Sequence, residues 1–320
     1  MPDSFTLAPV RPFLDWPIIT DPDGWADAEV ALIGLPHSEP YPHDPFPNDQ
    51  SRAPNAIRAL SHQISDGPDH WDFDLGAPLG ETAPRCIDGG NVPFEGGPYD
   101  HHAARVTALA ARLIAQGTQL FVLGGDHGVT IPVIDALEAA RQPIHIVHVD
   151  AHLDWRPEVA GVRRGYSSPL YWASRRPWIA GMVQIGLRGT GSARRAEVEA
   201  AHAWGSRLVT AAEVHARGLE QAIAGIPENS PVYVTIDADG IDPAEMPGVM
   251  APSPGGVAMR QLLPLLRILG RRNRVIGLDI VEIAPSFDFT NGLSCINAGR
   301  MIVNMLGASW QADGAFRRAA

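Results

Sequence analysis

Three side chains of the types that ligate metals occupy alternate positions in a short segment, as Asp150, His152 and Asp154. The segment follows an apolar run at 144–149 that has the composition of a buried strand. If the chain stays extended, alternate side chains share one face and these three groups converge on one point. Two carboxylates held so close repel each other unless a cation lies between them. The segment therefore predicts a metal site.

Metal-ligating side chains also occur at two other predicted strand ends. Asp237 and Asp239 end the apolar run at 232–236, and His127 follows paired glycines after the run at 120–123. The potential ligands are thus two imidazoles and four carboxylates: His127, Asp150, His152, Asp154, Asp237 and Asp239. One divalent cation rarely needs so many groups. Two ions about 3.5–4 Å apart, bridged by shared carboxylates, are a recurrent hydrolytic arrangement and account for the number.

The ligand types also restrict the metal. No cysteine contributes, which disfavours a closed structural zinc site. Mixed carboxylate and imidazole ligation suits manganese, nickel or iron better than calcium, and the order of affinities does not choose among these three.

The chain resembles the ureohydrolases, the family of arginase and agmatinase, from residue 31 to about residue 306. The resemblance rests on four blocks: Gly-Gly-Asp-His at 124–127, Asp-Ala-His-Leu-Asp at 150–154, Asp-Ala-Asp-Gly-Ile-Asp-Pro at 237–243 and Gly-Leu-Asp-Ile-Val-Glu-Ile-Ala-Pro at 277–285. It implies an agmatinase-like hydrolase that cleaves a guanidino C–N bond and releases urea or a substituted urea plus an amine. It also implies two manganese ions, with two nickel ions as the alternative.

The resemblance assigns a role to each ligand. One ion is expected at His127 and Asp154 and the other at His152 and Asp239, with Asp150 and Asp237 bridging them. Coordination lowers the pKa of water enough to supply hydroxide at neutral pH, which the resonance-deactivated guanidinium carbon requires. Glu282 is expected to orient the substrate cation by a two-pronged hydrogen bond. Asp154 is expected to carry a proton to the leaving amine.

Two segments depart from the family pattern and bear on the substrate. Tyr166 stands where familiar members have a histidine. A tyrosine is a poor proton shuttle near neutral pH, but it can hydrogen-bond a substrate, and a packing role for Tyr166 is the alternative. Residues 48–54 replace the glycine-rich turn around an arginine that agmatinases have. Agmatine is therefore not assumed, and guanidine, a biguanide or a guanidino acid remain alternative substrates.

Proline- and glycine-rich loops at 36–53 and 246–256 are expected to flank the site. Such loops carry specificity on a rigid scaffold, although they also serve to cover a sheet or contact another subunit. Aromatic residues there and beside the metal block are candidate substrate contacts, among which Trp155 is assigned to substrate binding with Tyr166; the others are Tyr41, His43 and Phe46.

Composition agrees with this interpretation. The chain has 320 residues, of which 45% are hydrophobic, and a net charge of -11 that opposes nucleic-acid binding but not a cationic substrate. With only two cysteines and no secretory apolar region at the N-terminus, we expect a cytoplasmic protein without disulfides. No apolar run approaches the roughly 20 residues of a membrane span.

Strand-like runs alternate with helical patterns, which predicts an α/β domain on a mainly parallel sheet. Strands are expected at 30–36, 85–88, 120–124, 144–150, 182–186, 207–210, 232–237 and 275–281, and helices at 101–115, 130–140, 193–203, 259–270 and 293–306. The resemblance implies a doubly wound, arginase-like three-layer α/β/α fold with eight parallel strands and helices on both faces. We expect one catalytic domain over 1–320, with 1–27 as an N-terminal extension.

Other hypotheses stay open beside the leading one. A metal-dependent deacylase predicts a single catalytic ion, and a silent paralogue subunit predicts lost ligands. The family commonly forms trimers and hexamers, so a homo-oligomer is expected, with a paralogue subunit as a further option. Three aspartates are expected to orient ligands or cap turns: Asp126, Asp242 and Asp279. Seven other histidines are assigned to the surface or core: His43, His101, His102, His145, His148, His202 and His215.

Overall fold

A parallel sheet of eight strands organises the protein. The computed structural model describes residues 5–42, 44, 48–65, 67, 69–79, 84–94, 99–191 and 193–318, of which 312–318 by backbone alone. The strands are β1 (Val30–Leu35), β2 (Trp71–Asp72), β3 (Ala77–Pro78), β4 (Cys86–Asn91), β5 (Gln119–Gly124), β6 (Ile144–Val149), β7 (Ile179–Leu187), β8 (Arg207–Thr210), β9 (Pro231–Asp237) and β10 (Arg274–Val281). The sheet order is β4-β1-β5-β10-β9-β6-β7-β8, and β2 and β3 form a separate antiparallel ribbon.

Every neighbouring pair in the main sheet is parallel, which confirms the predicted fold class. The helices of the described chain are α1 (Ala53–Leu60), α2 (Tyr99–Ala115), α3 (Thr130–Ala136), α4 (Pro169–Ala173), α5 (Arg195–Trp204), α6 (Ala211–Arg217), α7 (Leu219–Ala222), α8 (Met259–Arg272) and α9 (Leu293–Arg318). Within the described ranges, no helix is long and apolar enough to cross a bilayer.

Helices cover both faces of the sheet because each strand sends alternate side chains to opposite sides. Leu32 of β1 and Phe121 of β5 lie in one apolar cluster with α1, α6, α7, α8 and α9. Their chain neighbours Ile33 and Val122 lie in a second cluster with α2, α3, α4 and α5. The two clusters form the two hydrophobic layers between sheet and helices, as the three-layer prediction requires.

The eight predicted strands are all present, and their ends differ from the predicted ones by at most three residues. The five predicted helices are also present, but α9 continues past residue 306 to Arg318 and α3 ends at Ala136, followed by a 3₁₀ turn. Four helices and the β2–β3 ribbon were not predicted. Helices of four to eight residues, such as α1 and α7, span about two turns or less and give too few positions for a periodic pattern.

The N-terminal segment and α1 are fastened to β4 by a buried ion pair. Arg58 donates from Nε and Nη2 to the two carboxylate oxygens of Asp88, at 2.8 and 2.9 Å, and its Nη1 donates to Asn91 at 2.6 Å. Asp88 also accepts the backbone N–H of Phe13 at 2.9 Å. Both charged side chains are completely buried, so neither has water to replace its partner.

Replacing Arg58 with methionine should leave the Asp88 carboxylate buried without its cation and lower the free energy of unfolding by about 3–5 kcal/mol. Urea denaturation measures this. The control is Arg85→Met, which removes an exposed pair with Asp27 (side chains 65% and 87% exposed) and should cost about 1 kcal/mol or less. Equal losses in the two variants would show that burial does not govern the strength of this pair.

Candidate metal centre

Four adjacent strands in the middle of the sheet end where the predicted ligands begin. In the order β5-β10-β9-β6, these strands end at Gly124, Val281, Asp237 and Val149. Because the strands are parallel, their carboxyl ends lie at one edge, where open α/β sheets form ligand crevices. The structure brings all six predicted ligand residues together at this edge.

The first group of ligands surrounds the imidazole of His127. Its Nδ1 lies 3.1 Å from Asp154 Oδ2, 3.2 Å from Asp237 Oδ2 and 3.5 Å from Asp150 Oδ2. The His127 side chain has no exposed surface, and the three carboxylates are almost completely buried. The Nδ1 atom of His127 and three carboxylate oxygens thus point at one small volume.

The second group surrounds His152, whose side chain is 25% exposed and is the most accessible of the ligand set. His152 Nδ1 lies 3.1 Å from Asp239 Oδ2 and 3.4 Å from Asp150 Oδ1. Asp150 therefore turns one oxygen to each imidazole, which is the geometry of a carboxylate between two cations. Asp237 differs, because its Oδ1 accepts the Asp239 backbone N–H at 2.8 Å and Oδ2 alone faces His127.

A turn, rather than the extended strand that the spacing predicted, assembles residues 150–154. β6 ends at Val149, and the backbone N–H of His152 folds back to donate to Asp150 Oδ1 at 2.6 Å. Asp154 has φ of +48°, a left-handed conformation that is uncommon outside glycine. The expected convergence is present, but a strained turn produces it and not the alternation of a strand.

Crowding of these carboxylates has an electrostatic signature. Burial, and then the charges of Asp239 and Asp150, raise the pKa of Asp237 well above its usual range. Burial followed by the charge of Asp150 also raises the pKa values of Asp154 and Asp239. Buried like charges oppose each other's ionisation, and a cation between them reverses this.

The hydrogen bonds of His127 place a proton on its Nε2. Asp279 accepts the Thr235 hydroxyl proton over 2.5 Å, so the Thr235 oxygen accepts from His127 Nε2 at 2.9 Å. Nε2 therefore carries a proton, and Nδ1 faces the three carboxylates, which outweigh burial and raise the pKa of His127 well above its usual value. When a cation displaces the proton that the carboxylates favour on Nδ1, one nitrogen and three oxygens form a donor set that fits a divalent metal ion.

Glu282 lies beside this centre at the end of β10, with φ of +67° and only 9% of its surface exposed. Its Oε1 accepts the backbone N–H of His127 at 2.7 Å, and its Oε2 accepts from the side-chain amide of Gln50. Burial, and then the charge of Asp126, raise its pKa well above the usual range. A left-handed glutamate is strained by about 1–3 kcal/mol, a cost typical of functional positions.

Tyr166 lies near the site but its hydroxyl is committed elsewhere. The hydroxyl donates to Asp44 Oδ1 at 2.8 Å, and the ring packs on Tyr41 with centroids 4.1 Å apart. Burial and the bond to Asp44 raise the Tyr166 pKa, so the phenol keeps its proton at neutral pH. These contacts place Tyr41 and Asp44, from the predicted loop at 36–53, against the segment that follows the metal block.

The prediction that Trp155 contacts the substrate is wrong. Its side chain is 3% exposed, belongs to the second apolar cluster, and meets the edge of the Trp204 ring at 6.3 Å. A ring so placed stabilises the core and offers no surface to a ligand. Its position directly after Asp154 suggested the site, but the turn sends the two side chains to different surroundings. His43 and Phe46 lie outside the described residues.

Three residues of the site were missed. His148, assigned to the surface or core, donates to the Asp150 carboxylate over 2.8 Å and lies within ligand distance of His127 and Asp154. Gln50 binds Glu282. The guanidinium of Arg188 ties β7 to the Asp237–Asp239 turn. Its acceptors among the described residues are backbone carbonyl oxygens, those of Gly186, Asp239, Gly240, Ile241 and Ser253.

One of these three had a sequence signal, since His148 precedes Asp150 by two positions in the same strand pattern. Gln50 and Arg188 reach the site through contacts with residues remote in sequence, and no sequence pattern predicts them. The three support aspartates lie as expected: Asp126 caps the turn at His127, Asp242 accepts backbone N–H groups of 244, 255 and 256, and Asp279 orients Thr235.

The comparisons with known proteins agree with this geometry. The profile of the Arginase family matches residues 28–307. Proclavaminate amidinohydrolase of Streptomyces clavuligerus is 30% identical over 306 residues, which covers 93% of each chain. An agmatinase of Chromobacterium violaceum is 31% identical, over 87% of this chain and 83% of the relative.

The solved structure of the Streptomyces clavuligerus proclavaminate amidinohydrolase superposes with a TM-score of 0.82 at 28% identity, covering 95% of this chain and 98% of that one. Sequence profile, overall length and fold therefore agree with the four sequence blocks. The chain belongs to the arginase family, the metal-dependent hydrolases of guanidino compounds.

Proposed function

We propose that this protein hydrolyses a C–N bond of a small guanidino compound at a two-ion centre held by the six ligands of the strand edge. Asp150, with one oxygen towards each imidazole, is the observation that carries the proposal. His127, Asp154 and Asp237 would hold one ion with Asp150, and His152 and Asp239 would hold the second. Asp237 would bridge through its single outward oxygen.

Two divalent ions at these groups would supply a water activated for attack at neutral pH. The chain itself positions the substrate. Glu282, buried and fixed by the His127 backbone N–H, presents a carboxylate that a planar guanidinium recognises by charge-assisted hydrogen bonds. Asp154 is proposed as the group that carries a proton to the leaving amine, since it lies at the first ion position and is almost fully buried.

Gln50 restricts how the substrate meets Glu282. Its amide donates to Oε2 while its own oxygen accepts from the Ser38 hydroxyl at 3.0 Å. Each Glu282 oxygen therefore already has one donor, and one lone pair remains on each for the substrate. In the same stretch of chain, Asp44 holds the Tyr166 hydroxyl. The contacts of Glu282 support a guanidino substrate held at its carboxylate.

Manganese remains the proposed metal, with nickel as the alternative, because the mixed carboxylate and imidazole donors suit both. A homo-oligomer of three or six subunits, with a paralogue subunit as the further option, is a prediction of the family resemblance. The cytoplasmic location, expected from the cysteine count and the N-terminal composition, and the single domain over 1–320 also remain proposals.

A substrate panel tests the proposed reaction. Protein loaded with manganese or nickel should release urea or a substituted urea from at least one of agmatine, arginine, guanidine, a biguanide and a guanidino acid, as measured by product analysis. Acetylated amines serve as the control and should release no acetate. Acetate release would support a deacylase instead, and loaded protein that is inert on the whole panel would support a silent subunit.

Replacing Asp150 or Asp237 with alanine should abolish binding of both ions and all turnover, because each residue is assigned to both ions. Elemental analysis after dialysis gives the metal content per chain. The control is Asp100→Ala, an aspartate that is 85% exposed and should change neither quantity. A folded Asp150 or Asp237 variant that keeps two ions would refute the bridging assignment.

Replacing Glu282 with glutamine should preserve metal content and lower kcat/KM by about 10²-fold or more, because the substrate loses the carboxylate that positions it. Steady-state kinetics on the substrate found in the panel measures this. Glu39→Gln, an exposed glutamate on the neighbouring loop, is the matched control and should behave as the wild type. Unchanged kinetics in the Glu282 variant would remove this residue from the site.

A further inference from the structure

A buried chain of polar groups runs from Asp150 away from the proposed ions. Asp150 Oδ2 lies 2.8 Å from His148 Nε2, and His148 Nδ1 lies 3.2 Å from the amide nitrogen of Gln184. That amide nitrogen is also 2.7 Å from the backbone oxygen of Leu153, and the Gln184 oxygen is 3.0 Å from the Ser206 hydroxyl. His148 and Gln184 have no exposed surface.

The directions of these hydrogen bonds follow from one group that can only accept. A backbone carbonyl has no proton, so the Gln184 atom facing Leu153 must be its NH₂ group. The same NH₂ group faces His148 Nδ1, which must therefore accept and carry a lone pair. The His148 proton is then on Nε2, where it donates to the Asp150 carboxylate.

We propose that His148 and Gln184 are positioning residues that hold Asp150 in the orientation needed to bridge two ions, and that His148 is not itself a ligand. By distance alone His148 belongs to the group formed by His127, Asp150 and Asp154. A nitrogen that carries a proton has no lone pair for a metal, so the hydrogen bonds of His148 exclude it as a ligand. The inference rests on the proposed function only in taking Asp150 as a ligand.

The arrangement leaves Asp150 little freedom to rotate. Its Oδ2 accepts from His148 and its Oδ1 accepts the His152 backbone N–H, so both oxygens have fixed donors and one free lone pair each. Those lone pairs face the two imidazoles of the proposed ligand set. Gln184 contributes twice, since it fixes the tautomer of His148 and binds the Leu153 carbonyl within the ligand-bearing turn.

Two amide variants of His148 form a matched pair. In His148→Gln the side-chain amide nitrogen falls near the position of Nε2 and can donate to Asp150. In His148→Asn the amide is one carbon shorter, corresponds to Nδ1, and cannot reach. Gln184→Met keeps the length of the side chain and removes all three of its hydrogen bonds. Affinity for manganese, measured by competition with a chelator, is compared across these variants.

We expect His148→Asn and Gln184→Met to weaken manganese binding about 10–100-fold, the effect typical of groups that orient a ligand, and His148→Gln to restore most of the loss. Equal manganese affinities for the His148→Asn and His148→Gln variants, measured in folded protein, would overturn the positioning role.

The tautomer is tested separately, in the wild-type protein without metal. Long-range proton–nitrogen correlation spectra of protein with ¹⁵N-labelled histidine should show His148 protonated on Nε2 and unprotonated on Nδ1. A proton on Nδ1 would refute the inference even if the enzyme is active. Conversely, protein that is inert and binds no metal but shows the expected tautomer would refute the proposed function and leave the hydrogen-bond assignment intact.

Discussion

Four buried carboxylates and two imidazoles crowd one edge of the sheet, where the charge of each group governs the protonation of the others. Burial and mutual repulsion raise the pKa values of Asp154, Asp237 and Asp239. The same carboxylates outweigh burial and raise the pKa of His127 well above its usual value and that of His152 to about 12, so without a metal the two imidazoles hold protons towards them. A divalent cation brings more charge to the same oxygens in place of those protons, and the requirement for positive charge there governs the chemistry of the site.

The fold meets this requirement through four adjacent parallel strands and the turns that follow them. The turn after β9 approaches the end of β6 so closely that a Cβ on Gly240 would lie 2.6 Å from the backbone nitrogen of Asp150. Only glycine permits this approach, which brings the carboxylates of the two strands together. Asp154 and Glu282 accept left-handed backbone conformations at the same edge. Strain of this kind persists where surrounding contacts fix the geometry, which is the case for buried residues between two packed layers.

The sequence predicted the strands, the fold class and the six side chains at the strand edge, because buried parallel strands are long apolar runs and their ends carry the chemistry. It failed where a turn replaces regular structure. Residues 150–154 were expected to be extended but form a turn. Trp155 was placed near the substrate as an aromatic residue beside the metal block, whereas its ring lies in the core. Gln50 lies 232 positions from its partner Glu282, a contact that only the folded chain reveals.

The clearest limit of sequence patterns concerns the two histidines that lie beside Asp150. His127 and His148 are equally buried, their rings are 5.2 Å apart, and each has a nitrogen within 3.5 Å of the same carboxylate oxygen. What separates a ligand from a supporting group is the partner of the other nitrogen. The Thr235 hydroxyl accepts a proton from His127 and leaves it a lone pair for a metal, whereas the Gln184 amide donates to His148 and forces its proton towards Asp150. Two residues remote in sequence thus decide which imidazole can hold an ion, because a ring nitrogen is protonated or free according to the hydrogen bond made on the opposite side of the ring.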